Sequence, residues 1–555
     1  MGSLQRGGGL AGMVAALFFH LSPAVLAQAP NPAVRGTTTT PRVATQNRAP
    51  LQVTQRAASG TSPFPAGCGD TAGTVYIGAE VEPHVAANPL DSNNLVGLWQ
   101  QDRFSNGASR GLVTGLSLDG GATWSLRQVP WSLCSGGEYQ RATDPWVTFS
   151  PDGTAHQIAL GVSGESFTAT GVSAILVSRS TDGGITWSPV ITVIRDAGAD
   201  FFNDKETITA DPLDSRFVYA VWDRLRSGAN GPTLFSRTTD GGLTWEAARA
   251  IYDPGGTNQT IGNLIRILPD GTLVNMLAQL IDLPNGTTVS SIHVIRSTDR
   301  GLTWSSPILV SPFNALGARD VPSGTIIRDG SIVPQMAVGP DGTLSIVWQD
   351  ARFTQIRDAI AFSRSIDGGL TWSAPVRVNA DPGVVAFTPQ VHVRADGIVA
   401  VTYYDLRSNT ASTATLLTDY WLARSSDGVN WTETRLSEPF DLATAPRAGG
   451  QVFLGDYTGL ASAGTTFIAF FGRTTGDLAN RTDIIAARAG PATAPSFKRF
   501  AEAEPAMASY RAAPLADVEP SDELRREVSE NIARAMERRV PGWAKSKGRD
   551  APPVR

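Results

Sequence analysis

The chain has 555 residues, a formal net charge of −5, 56 glycines, five histidines and only two cysteines. An acidic balance without a basic patch in the repeats excludes nucleic acid as the expected partner. The scattered histidines and two cysteines lack the spacing of a zinc site. No cofactor is expected, and the sequence does not decide for or against a structural Ca2+. Taken in chain order, residues 1–29 read as a secretory signal peptide. Arg6 gives a positive start, Leu10 to Leu26 is mostly apolar, and Val25-Leu-Ala27 and Ala27-Gln-Ala29 offer small-residue cleavage sites. The mature protein is therefore expected to be secreted or periplasmic, with no membrane span. Residues 30–73 are rich in Thr, Pro, Ala, Gln and Ser and read as a flexible leader. In an oxidising compartment Cys68 and Cys134 are a disulfide candidate, with two free thiols as the other reading.

Residues 74–490 carry a repeat. Six times nearly the same string recurs: Ser117-Leu-Asp-Gly-Gly-Ala-Thr-Trp124, Ser180 to Trp187, Thr238 to Trp245, Ser297 to Trp304, Ser365 to Trp372, and the shortened Ser425-Ser-Asp-Gly-Val-Asn-Trp431. Their aspartates stand 58 to 68 residues apart, a period that means a repeat architecture. Asp-Gly and Gly-Gly supply the positive φ of a tight turn. The Asp and Ser/Thr side chains can bond nearby amides, and the Trp can anchor the turn on its neighbour.

Each unit has one grammar. A first strand ends in a turn such as Pro151-Asp-Gly-Thr or Pro340-Asp-Gly-Thr. An apolar second strand, a third strand ending in Ser-Arg, the Asp-turn and a fourth strand follow. That is a four-stranded antiparallel blade. First strands start near Glu82, Asp144, Glu206, Asn263, Gln335, Gln390 and Asp456, so the fold class expected is all-β, a β-propeller with seven blades favoured over six. The seventh unit lacks a fourth strand, and Thr74-Val-Tyr-Ile-Gly78 is expected to supply it, because an open edge is costly. Residues 491–520 read as a Pro/Ala-rich linker and 541–555 as a disordered tail. Between them, 521–540 forms a helix capped by Ser521, with Leu524, Val528, Ile532, Met536 and Val540 on one stripe. Docking, fraying and capture of a protein partner are all compatible with that stripe, but the tail is expected to lie outside the propeller.

The recurring string resembles the Asp-box, or BNR repeat, of sialidases and related β-propellers. That resemblance implies a sialidase-like exo-glycosidase acting on glycans. Sialidases use three arginines on the substrate carboxylate, a Tyr nucleophile polarised by a Glu, and an Asp acid/base. Tyr457 and Glu206 can stand for the Tyr/Glu pair and Asp102 or Asp144 for the acid. The family's Arg-Ile-Pro motif is missing, and the nearest string, Arg266-Ile-Leu-Pro269, runs into a turn on the Asp-box face. Sialidases also have six blades, not seven.

Topology places the starts of first strands and the ends of second strands on the face opposite the Asp-boxes. The catalytic candidates there are Glu206, Asp144, Tyr457, Glu82 and Asp102, since paired carboxylates serve as acid and base in glycoside cleavage. Arg103, Arg224, Arg352, Arg407 and Arg473 are the substrate-binding candidates, with His84 and Trp146 beside them, because Arg forks hold anions. The Asp/Arg pairs at second-strand ends have a second reading, a structural ring between blades. A non-catalytic glycan- or protein-binding propeller is the alternative to an enzyme, and a scaffold working through the helix is the third possibility.

Overall fold

The computed structural model describes residues 50–69, 72–491, 507–512, 520–540 and 542–546. The expected signal segment 1–29 lies outside them. Among the described residues, four-stranded antiparallel sheets follow one another along the chain; two are joined into one eight-stranded sheet, one gains a fifth strand, and a separate three-stranded sheet contains a parallel pair. The first runs Glu80–Asn88, Asp91–Arg103, Ser109–Ser117 and Ser125–Gln128. A single bridge, Ser109 to Ala142, joins it to the second sheet, which begins at Arg141–Phe149. The first strands of the next four sheets are Phe201–Ala210, Gln259–Ile267, Gln335–Val338 and Ala386–Val393. Second strands such as Leu344–Asp350 are buried along their whole length. Such strands are covered on both faces, which is why they read as continuous apolar runs instead of alternating ones.

The seventh sheet corrects the expected closure. Its strands are Gly459–Ala463, Thr466–Asp477 and Asn480–Pro491, and its outer strand is Leu51–Ala57, paired antiparallel from Leu51–Pro491 to Ala57–Ile485. Thr74 to Gly78 forms no strand; near it stand only isolated bridges, Val75 to Phe104 and Ala79 to Thr482. Part of the segment read as flexible leader is therefore sheet. Leu51 is buried, Val53 half-buried, and Gln55 donates to the Leu436 carbonyl at 2.7 Å. The first and last sheets also touch: the Glu82 amide donates to the Leu454 carbonyl at 3.1 Å and the Glu80 amide to Thr482 Oγ1 at 2.9 Å. Cys68 and Cys134 form a disulfide with Cα atoms 5.4 Å apart, tying the leader to the segment before the second sheet.

The Asp-turns repeat in atomic detail. Asp182 Oδ1 accepts from the Thr186 amide at 2.9 Å and from Ser180 Oγ at 2.7 Å, while Oδ2 accepts from Thr186 Oγ1 at 2.6 Å. Asp240 makes the same three bonds with Thr244 and Thr238. These bonds outweigh the slight burial and hold both carboxyls down at about 2.

The C-terminal helix Asp522–Arg539 is capped by Ser521, whose side chain accepts from the Leu524 amide. It does not lie outside the sheets. Leu524, Val528, Ile532, Met536 and Val540 are buried in one apolar cluster with Phe313, Ala315 and Ile332. Asn531 donates to the Ala315 carbonyl at 3.0 Å and to Ser331 Oγ at 3.1 Å. Of the readings open for the stripe, docking is the one realised, because only burial repays the ordering of so narrow an apolar face. Beyond it, Trp543–Ser546 is a further short helix with Trp543 and Ala544 buried, so the tail 541–555 is not wholly disordered. Within the segment 491–520 read as linker, Met507–Arg511 adds a fifth strand to the sixth sheet. Among the described residues no helix is long and apolar enough to cross a membrane.

Candidate functional site

A backbone irregularity builds the site. In five sheets the first strand carries a register shift at the same place: Val81/His84, Thr143/Trp146, Asp204/Thr207, Ile261/Leu264 and Phe387/Gln390. Within each bulge one residue takes positive φ: Glu82 at 51°, Asp144 at 51°, Lys205 at 52°, Gly262 at 70° and Thr388 at 49°. Glycine fits that conformation freely; Glu, Asp and Lys do so under strain of about 1 kcal/mol or more. Bulges re-aim side chains next to sites. Here they turn Glu82, Asp144 and Lys205 toward one another.

Lys205 Nζ is the hub. It ion-pairs with Glu82 Oε1 at 3.2 Å, Asp456 Oδ2 at 3.1 Å and Asp144 Oδ1, with its side chain 5% exposed. Asp456 also takes Arg328 Nη2 at 3.1 Å and Arg539 Nη2, from the C-terminal helix, at 3.1 Å. Glu82 accepts from the Asp456 amide at 3.2 Å and from Gln100, and Gln100 in turn accepts from Arg103. Arg103 and Arg328 both stack over the Phe453 ring, at 4.9 and 4.4 Å.

Burial and charge pull these groups apart. Burial works against ionised Asp456, yet Arg328, Arg539 and Lys205 hold it well below the usual carboxylate range. Burial raises Glu82, and Lys205 only partly offsets it. Burial, then the Asp144 charge, pushes Asp204 up to about 7, and its Oδ2 has no partner among the described residues. Glu206 is raised well above its ordinary value by burial and Asp144, with both carboxyl oxygens unpartnered. Arg103 is lowered to about 10 by burial and the Arg328 charge.

Beside this cluster opens a cavity of about 510 Å³, lined by Glu82, Asp144, Asp204 and Lys205 together with Arg103, Arg141, Arg328 and Arg539. Carboxyls that can give or take a proton and guanidinium groups that can hold an anion thus share one wall. A second space, about 20 Å³, holds Glu206, Tyr457, Trp146 and Gln335 around Asp144 and Lys205. It has room for about one water. Tyr457 donates to the Pro145 carbonyl at 3.3 Å, packs edge-on against Trp146, and is raised well above its ordinary value by burial and then Glu82.

Of the residues expected from sequence, Glu82, Asp144 and Arg103 meet in the large cavity, and Glu206 and Tyr457 meet beside it. The other candidates are placed elsewhere. Asp102 accepts from Ser62 Oγ at 2.7 Å and the Gly78 amide at 2.9 Å, holding the leader. Arg224 is paired with Asp196, Arg352 with Asp350, Arg407 with Asp405 and Glu433, and Arg473 donates to Gln55 of the outer strand. These four arginines hold sheets and strands together: the first three are paired with carboxylates of the repeat and Arg473 with the outer strand of the leader. His84 stacks on Trp146 at 3.7 Å and lines a different cavity. Sequence reasoning did not select Lys205, Asp204, Arg328 or Arg539. Lys205 occupies the bulge position of Glu82 and Asp144, while Glu206 falls where those strands have Pro83 and Pro145. Aligning the bulges instead of the acids would have found it. Arg328 and Arg539 carry no local signal.

Residues 178–189 match the model of the BNR/Asp-box repeat. No curated protein matches it in sequence. Among solved structures it is similar to an α-L-arabinanase of Penicillium chrysogenum complexed with arabinobiose, at 12% identity over 79% of this chain and 98% of that one, TM-score 0.43. It is similar to a Hadza microbial sialidase at 14% identity, covering 79% and 96%, TM-score 0.40. The intramolecular trans-sialidase of Ruminococcus gnavus is 12% identical, with 63% and 94% covered and TM-score 0.38. None of these likenesses bears on the chemistry, which rests on the residues themselves.

Proposed function

We propose that the protein is an exported, seven-bladed Asp-box propeller and a glycoside hydrolase of the sialidase-like class, acting on the end of an anionic glycan. The blade count rests on seven consecutive four-stranded sheets and on the contacts of the first with the last. The observation that carries the activity is the 510 Å³ cavity that joins raised carboxyls to converging arginines. Asp204 is the general acid for the leaving oxygen, since a carboxyl near 7 keeps its proton at working pH. Asp144, in the same wall and ion-paired to Lys205, is the carboxylate partner. Arg103, Arg328 and Arg539 hold the substrate's negative group. The test is fluorophore release from a panel of aryl glycosides that includes the sialoside, using wild type and Asp204→Asn. Loss of about 10²- to 10⁴-fold in kcat with an unchanged melting curve is expected. Full activity in Asp204→Asn, or no turnover of any glycoside, removes the proposal. Export is tested separately by fractionating cells that express the full chain.

One observation favours a second reading, a binding propeller. Tyr457, the nucleophile a sialidase would need, faces the one-water space instead of the large cavity. Glycan retention without turnover in the same panel would select that reading.

A further inference from the structure

The far ends of the first strands enclose a second cavity, of about 540 Å³, at the Asp-box side. Every one of the seven sheets contributes to its wall, from His84 in the first to Ser462 in the seventh. Its lining contains no Asp, Glu or Lys, in a chain whose net charge is −5. It does contain Arg266, His84 and His392. Arg266 donates to the Ile265 carbonyl at 3.0 Å, and among the described residues no carboxylate pairs with it. Arg266 is half-buried, and burial lowers its guanidinium to about 10, so it stays charged at neutral pH with no carboxylate partner among the described residues. A charge taken partly out of water is costly unless it is paired.

The two histidines line the same space. His84 Nδ1 accepts from the Val147 amide at 3.3 Å, which leaves the proton on Nε2, and Nε2 has no partner among the described residues. The ring is fixed by stacking on Trp146 at 3.7 Å. His392 Nε2 bonds Ser462 Oγ at 2.9 Å. Burial and the Arg266 charge lower both imidazoles, so Arg266 lies near enough to act on each.

We infer that this second cavity is a binding site for a phosphate-class oxyanion, held by the Arg266 fork with His84 and His392 as hydrogen-bonding walls. A fork matches the geometry of a tetrahedral oxyanion and supplies the missing counter-charge on binding. The site is separate from the proposed glycan cavity and shares no lining residue with it.

The test is titration calorimetry of the full chain with inorganic phosphate and, in parallel, with glucose 6-phosphate, against a chloride background. A Kd of about 1 mM is expected for wild type. Arg266→Gln and His392→Gln should each weaken it by about tenfold or more, and Arg526→Gln, at an exposed position of the C-terminal helix that lines neither cavity, should leave it unchanged. Phosphate binding alone identifies the free ion as ligand; tighter binding of glucose 6-phosphate identifies a phosphorylated sugar. No binding of either probe, or loss in Arg526→Gln with retention in Arg266→Gln, overturns the inference. If Arg266→Gln fails to fold, His392→Gln decides: unchanged affinity there overturns it.

Discussion

The C-terminal helix gives the sharpest stability test. Ile532 lies at the middle of its apolar stripe, 1% exposed, in the same cluster as Phe313 and Ile332. Ile532→Ala removes buried methyl groups where the sheet surface cannot collapse onto the gap. The cost of such a truncation is about 2–5 kcal/mol, transfer and cavity together. At a urea slope of about 3 kcal/mol/M the unfolding midpoint falls by about 1 M. Glu530→Ala, on the exposed face of the same helix with its side chain 51% exposed, is the control and should change stability by no more than about 0.5 kcal/mol. The assay is urea unfolding followed by tryptophan fluorescence, which reports the sheets as well as the helix. If Ile532→Ala unfolds with the wild-type midpoint, the helix is not part of the cooperative unit. Its Arg539 could then not be a fixed partner of Asp456.

Burial and Asp144 raise Asp204 to about 7, against about 3.9 in the unfolded chain. The folded state therefore holds an extra proton between those values, and this contribution is full below the lower and lost as pH rises through the upper; Asp204→Asn should flatten the decline, read as unfolding midpoints at pH 4 to 8. Lys205→Met leaves Glu82, Asp144 and Asp456 without their shared cation, and about 3–5 kcal/mol of destabilisation is expected in the same assay. Cys134→Ser opens a loop closed over 66 residues and should cost about 4 kcal/mol, so mild reduction of the wild type should lower its melting temperature toward that of the variant. Asp240→Ala deletes four turn bonds at a residue that lines neither cavity; a loss of about 1–2 kcal/mol with unchanged kcat is expected, and a fall in kcat would show that the Asp-turns act on the site.

Features that depend on near neighbours could be read along the chain. The Asp-turns were legible because every bond of Asp182 or Asp240 closes within four residues. The blade grammar was legible because strand period and turn chemistry are local, and the helix boundaries because Ser521 and the i+4 stripe are. Glu82 and Asp144 were found because first-strand starts can be counted. What the tertiary structure decided are pairings across long stretches of chain. Leu51–Ala57 has no strand signal strong enough to compete with its polar surroundings, and its partner is Asn480–Pro491. Gln55 and Arg473 meet for the same reason. The left-handed bulge shifts the register so that Lys205, not Glu206, joins Glu82 and Asp144, and a one-residue shift changes which side chain a strand presents. Arg328 and Arg539 enter from a connecting segment and from the tail, and converge on Asp456 only once the sheets are stacked and the helix is docked. Charge clusters of this kind are set by where the backbone ends up in space, and no spacing along the chain encodes that.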